Sequence, residues 1–328
     1  MQITPINVAR SVQPMLSVIV HTEEEFDWNQ PFDRNATTVS HMRHIDRIQE
    51  IFDNFHIVPT YVCDYSIANQ KEGYLPLRQF AAEGRALIGA HLHPWVTPPL
   101  TEELSRRNSY PGNLPLELER AKFVTLTERI TENFGVRPTV YLAGRYGNGP
   151  NSARILEELG YEVDASVNVP MDFSRDGGPD YSSHTNHPFW FGEKRRLLGL
   201  CYSGDFLGWL PAGRAAVHRI STLPALEKAH IPGILARLGA LDRIGLTPEG
   251  YTNQEMRWLT KSLVEDGFRV LVFYFHSPSV APGFTPYVRN SADLEAFLTN
   301  CRDYFKFFME DIGGVAKTPL QIKDLLAS

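Results

Sequence analysis

The sequence predicts an α/β fold, a distorted (β/α) barrel of about seven parallel strands, and three observations carry that expectation. Short β-rich runs alternate with longer segments of helical period, the pattern of βα units. At 328 residues, with 43% hydrophobic and 11% aromatic content, the chain can bury one large core, and α/β barrels of this length commonly form one domain. Reactive polar residues fall at the C-terminal ends of the apolar runs, where the loops of a parallel barrel converge on one mouth. No repeat, low-complexity tract or Gly/Ser linker divides the chain, so a single domain is expected over 1–328, with its core at about 16–311.

Taken in order, six of the seven expected strands deliver a polar residue to that mouth. Leu16–Val20 leads to His21 and Glu23, Val58–Cys63 to Asp64, and Leu87–His93 to His91 and His93. Val140–Ala143 leads to Arg145, Glu162–Val167 carries Asp164, Leu197–Tyr202 adds a further apolar run, and Arg269–Phe275 leads to His276. Between them the helical period predicts helices at Thr38–Asn54, Leu116–Phe134, Asn151–Leu159, Pro224–Leu241, Pro248–Asp266 and Ala292–Met309. Asn151 at the start and Gly160 just past the end make a good cap pair for the third.

Composition limits the partners. A net charge of -6 without long like-charge blocks gives no footprint for nucleic acid or an anionic membrane. Cys63, Cys201 and Cys301 are odd in number and far apart, which fits a reducing compartment. The first residues, MQITPINVARSVQP, contain no apolar signal region, and no apolar stretch approaches the length of a membrane span, so a cytoplasmic protein is expected. An oligomer is compatible with the sequence.

The densest charge lies in HTEEEFDW, residues 21–28, directly behind the apolar run MLSVIV. Strand alternation places His21 and Glu23 on one side and Glu24 on the other. In GAHLHPW, residues 89–95, His91 and His93 stand two apart and project to one side of an extended strand. With Glu23 they make two histidines and a carboxylate, a set that zinc and other divalent ions accept with positions left for water. Ordinary polar residues at a strand end are the alternative. Glu25 and Asp27 read as loop carboxylates or caps. His276, in FYFHSPSVAPGFTPY, enters from the opposite side and has the pKa range to protonate a leaving group, the alternative being a core histidine bonded to backbone. The glycines of GRYGNGPNSARILEELGY lack the spacing of a dinucleotide site, and Arg145 among them either orients a carboxylate in the mouth through its planar fork or makes a surface salt bridge. Residues 168–196 form a long aperiodic stretch whose Phe189, Trp190 and Phe191 either offer flat faces to a sugar ring or pack as a loop's own aromatics onto the barrel. Trp28, Asp64, Trp95, Tyr146, Asp164 and Trp190 are the expected substrate-contacting residues.

These motifs together resemble the polysaccharide deacetylase family, the NodB-homology or carbohydrate esterase family four fold, over roughly Leu16 to Asp311. The likeness is strongest to a cytoplasmic branch with an opening of the form DTEEEFDW, then GAHLHPWVTPP, GRYG, and FHSPS followed by PGFTPYV. The resemblance implies a distorted barrel, a divalent metal, usually zinc, and hydrolysis of an N-acetyl or O-acetyl group on a sugar or polysaccharide precursor. It places the metal on Glu23, His91 and His93, proton acceptance on His21 or Glu24, and the general acid on His276. Three departures stand out. His21 replaces the family's aspartate base, Leu142 replaces its motif arginine and leaves Arg145, and Trp95 stands where the second histidine is usual, so that His93 takes that place. The alternative they raise is a catalytically silent barrel that binds a glycan or a partner protein.

Overall fold

The computed structural model describes residues 3–27, 30–194, 196–209, 238 and 240–327. Its strands, in chain order, are β1 (Thr4–Pro5), β2 (Met15–Thr22), β3 (Thr60–Cys63), β4 (Leu87–Leu92), β5 (Val140–Ala143), β6 (Val163–Asn168), β7 (Phe189–Phe191), β8 (Leu197–Tyr202), β9 (Gly204–Leu207), β10 (Asp242–Gly245), β11 (Val270–His276) and β12 (Val315–Ala316). The seven expected strands are β2 to β6, β8 and β11. They run parallel in the order β8, β6, β5, β4, β3, β2, β11, and the curled sheet forms the distorted barrel.

The strands are apolar on both faces, as parallel strands covered on both sides must be. Met15, Ile19, Val62, Val140, Leu142, Val163, Leu198 and Val272 pack together as the inner cluster. Leu16, Val18, Val20, Ala90, Phe273 and Phe275 belong to the larger outer cluster, which includes Phe52, Leu126 and Phe305 of the helices. Gly89 keeps the inner face tight, since a Cβ there would stand 2.8 Å from the Val140 carbonyl oxygen. Alternation then carries the inner face upward from Ile19 to His21, from Gly89 to His91, and from Tyr274 to His276.

The barrel does not close by a ladder between β8 and β11. Ser203 bridges the gap: its Oγ accepts the Val272 N–H at 2.9 Å, and its carbonyl accepts the Leu246 N–H at 2.9 Å. The Leu246 carbonyl in turn accepts the Tyr274 N–H at 3.2 Å. β9 and β10 form an antiparallel pair directly beside this seam.

Helices differ from expectation mainly at their starts. The stretch expected as one helix over 38–54 is a 3-10 turn, Ser40–His44, followed by an α-helix, Asp46–Asn54. The helix expected from Pro248 begins at Asn253, where Thr252 and Glu255 form a capping box. Leu116–Phe134 is found as expected, the third helix spans Ser152–Leu159, and the last expected one Ser291–Glu310. The helix expected at 224–241 lies almost wholly outside the described residues. Helices Tyr65–Asn69, Lys71–Ala82 and Pro319–Ala327 were not anticipated. Among the described residues no helix is long and apolar enough to cross a membrane.

Candidate metal and active site

β11 pairs with β2 so that His276 lies opposite His21, and β4 brings His91 to the same rim. Glu23 stands between them and is buried, as are His21, His91 and His93. The Nε2 atoms of His91 and His93 lie 3.3 Å and 3.5 Å from Glu23 Oε2. His91 donates from Nδ1 to the Leu142 carbonyl at 3.0 Å, and His93 from Nδ1 to Glu24 at 2.9 Å. In those tautomers both Nε2 atoms turn lone pairs toward a carboxylate. Burial holds both rings below the usual histidine pKa, reinforced at His91 by the adjacent His93, so neither readily carries the second proton.

Glu23 is the complement. Burial opposes its ionisation, but the charge of His276 and the neighbouring imidazoles outweigh burial and hold the carboxyl down at about 2. A buried carboxylate facing two imidazole lone pairs is a donor set suited to a divalent cation, and each histidine has the outer partner that metal-ligating histidines need. The residues present fit the metal that the motifs imply.

His276 is built differently. Its Nδ1 lies 2.7 Å from Glu249 Oε2, while its backbone N–H donates to Glu249 Oε1 at 3.1 Å. Ser279 Oγ also donates to Glu249 Oε1, at 2.5 Å. Burial works against a charged ring here, but Glu249 and Glu23 overcome it and push His276 up to about 9. His21 has its Nε2 3.0 Å from the Tyr202 hydroxyl and its ring 4.5 Å from that of His276. Burial, then the charge of His276, hold His21 well below the ordinary value.

A cavity of about 1230 Å³ opens above these groups. His21, Glu23, His91, His93 and His276 all face it, with Trp95, Arg145 and Tyr146 on its walls. Trp95 stacks on His93 at 4.2 Å and donates from Nε1 to Glu24 at 2.7 Å. Tyr146 meets the His21 ring edge-on at 5.8 Å and stacks on Phe173 at 5.6 Å. Arg145 and Tyr146 both hold left-handed backbone angles, φ 54° and 60°, which turn the chain sharply at the cleft. The Arg145 guanidinium lies over Tyr110 and binds Asp176 at 2.9 Å and Ser109 at 2.7 Å, so the carboxylate it orients belongs to this chain.

Other expected residues lie elsewhere. Glu24 does not line the cleft; it sits behind His93, where burial and the neighbouring Glu23 charge raise it to about 7. Asp64 lies behind Glu24, accepting the Ile67 N–H at 2.8 Å as the cap of the helix Tyr65–Asn69. Asp164 faces away from the cavity, accepting from Asn148 Nδ2 and Ser166 Oγ at 2.5 Å each, because alternation along β6 sets it between Val163 and Ala165, which both belong to the inner cluster. Trp190 is paired with Thr4 and Leu198 in the β1–β7–β8 ladder, at the barrel end remote from the mouth. Trp28 lies outside the described residues. Glu25 is a structural carboxylate as expected, bound to the His41 backbone N–H at 2.6 Å and ring Nδ1 at 2.9 Å.

Glu249 and Tyr202 are the contributors that sequence reasoning missed. Tyr202 ends an expected strand, and alternation from Leu198 and Leu200 places it on the inner face. Glu249 sits in an irregular turn ahead of a helix and carries no local signal.

Among solved structures, the chain is similar to a putative polysaccharide deacetylase from Mycobacterium smegmatis, at 17% identity over 99% of this chain and 95% of that one, with a TM-score of 0.53. It is likewise similar to a probable polysaccharide deacetylase from Pseudomonas aeruginosa PAO1, at 15% identity, 96% and 90% coverage and a TM-score of 0.55. A third similar structure is Puue allantoinase, at 15% identity, 96% and 90% coverage and a TM-score of 0.54. No protein-family model and no curated protein matches the chain. At such identities the likeness establishes the fold. It is the distorted barrel found in polysaccharide deacetylases, the fold that the motifs led us to expect.

Proposed function

We propose that this protein is a divalent-metal-dependent hydrolase that removes an acetyl group from an N- or O-acetylated sugar or polysaccharide precursor. The observation that carries the proposal is the convergence of two imidazole lone pairs and the Glu23 carboxylate on one face of the cleft, with the His276–Glu249 pair beside them. Glu23, His91 and His93 would hold the ion, zinc by the chemistry of the set, and when bound it would polarise the acetyl carbonyl and acidify a water.

The chain's own residues supply the rest. His21, kept neutral by burial and steadied by Tyr202, accepts the proton of the attacking water. His276, kept charged by Glu249, gives a proton to the departing amine or alcohol. Trp95 and Tyr146 exclude water from two sides and offer apolar faces to a sugar ring. The three cysteines are buried and unpaired, which supports a reducing, cytoplasmic setting.

A second reading, a silent barrel that binds a glycan or a partner protein, is favoured by one observation: His21 stands where the resemblance places an aspartate base. Both are tested by assaying acetate release from acetylated oligosaccharides after chelator treatment and again after zinc is restored. Activity lost and regained supports the hydrolase. Metal bound without acetate release from any N- or O-acetylated substrate supports the silent barrel.

A further inference from the structure

The proposed metal set needs only two histidines, yet four imidazoles surround Glu23. Each commits one ring nitrogen to an outer partner: His91 to the Leu142 carbonyl, His93 to Glu24, His276 to Glu249 and His21 to the Tyr202 hydroxyl. Held rings of this kind are what imidazole ligation requires, and a histidine serving only in proton transfer has no need to share a carboxylate with the metal set. His21, Glu23 and His276 nevertheless bring one donor atom each within 4.8 Å of one another, as Glu23, His91 and His93 do. Glu23 belongs to both groups and has two oxygens.

We propose that His21, Glu23 and His276 form a second divalent-cation site, with Glu23 shared between the two ions and the entering ion displacing to solvent the extra proton that His276 otherwise carries. The donors suit imidazole-seeking ions such as zinc, nickel or copper rather than magnesium or calcium. Shared carboxylates of this kind hold two ions about 3.5–4 Å apart in hydrolases with paired metals. Glu249, behind His276, adds negative charge against the second ion. The proposal rests on the metal reading of Glu23, His91 and His93. It adds a consequence: a second ion occupies the two histidines to which proton transfer is assigned, so the doubly loaded protein is an inhibited form.

The test is metal counting on the whole chain. Chelator-stripped protein is dialysed against zinc and titrated calorimetrically, beside His21→Ala and His276→Gln. The expected result is two ions per chain, one tight and one at least about tenfold weaker. Each variant should retain the tight ion, which also reports that it is folded, and lose the weaker one. Saturation of the wild type at one ion overturns the second site and leaves the first intact. A weaker ion that persists in both variants overturns it too, because that ion must then lie elsewhere. A folded wild type that binds no ion overturns the hydrolase reading and this inference together.

Discussion

His276 Nδ1 lies 2.7 Å from Glu249 Oε2, and the other oxygen of that carboxylate accepts the His276 backbone N–H. One side chain thus fixes both the ring and its charge. Burial resists that charge, but Glu249 and Glu23 raise the ring to about 9. Since the folded value lies above the unfolded one, near 6.5, the linked stability is fully present below pH 6.5 and is lost as pH rises through about 9. Glu249→Gln should lower the His276 pKa by one unit or more in chelator-stripped protein, followed by NMR titration of the ring. An unchanged titration in the variant would show that Glu249 does not set the charge.

Glu24 acts at one remove. Its carboxylate accepts from His93 Nδ1 and Trp95 Nε1, so it selects the His93 tautomer and the ring's orientation. Glu24→Gln should weaken zinc binding about 10- to 100-fold, measured by competition with a chromophoric chelator, while stoichiometry at saturation is retained. Wild-type affinity in that variant would remove Glu24 from the metal site's support.

Lys122 is fully buried and donates from Nζ to the carbonyls of Pro94, Thr97 and Pro99 at 2.8, 2.6 and 2.8 Å. It also meets Glu102 at 3.0 Å. Lys122→Met leaves three carbonyls and a carboxylate without their cation, and should cost about 3–5 kcal/mol in chemical denaturation. A loss under 1 kcal/mol would mean that the segment following His93 holds its shape without the lysine.

Glu119 offers a pH test far from any metal ligand. Burial raises it to about 7, and its one hydrogen bond, from Ser152 Oγ at 2.6 Å, offsets burial only in part. Here the folded state binds the proton more tightly, so stability falls as pH rises from about 4.5 through about 7, by up to about 3 kcal/mol. Glu119→Gln should flatten that slope in denaturation curves collected between pH 5 and 8. A slope unchanged by the substitution would assign it to another group.

How much of this was legible in the sequence divides by the range of the forces involved. The seven barrel strands follow from local runs of apolar residues, and their ends are correct within two residues because polar residues mark the mouth. His21, Glu23, His91, His93 and His276 follow from alternation along three of those strands. Three-dimensional pairing hides the rest. Asp164 lies on a strand that reaches the mouth, but it alternates with the inward Val163 and Ala165 and so points to the other face. Trp190 belongs to an aromatic triplet that reads equally as a sugar platform or as a loop packing its own aromatics onto the barrel, and pairing with β1 and β8 makes it instead an edge strand. Glu24 and Glu23 are neighbours in sequence with opposite surroundings, one behind the ligands and one among them. Glu249 is the plainest loss, since only the folding of its loop against Ser279 and His276 gives it a role.

The seam between β8 and β11 has a consequence for how the site comes apart. Glu23, His91 and His93 stand at the ends of β2 and β4, which are laddered to neighbours on both sides. Glu249 follows Leu246 by only three residues, and Leu246 is tied across the seam by two backbone hydrogen bonds. A fluctuation that parts this weaker join carries Glu249 away from His276 while the cation-facing trio stays assembled. The cluster of Glu23, His91 and His93 and the His276–Glu249 pair therefore hang from supports of unequal strength, and the pair is the first to be dismantled.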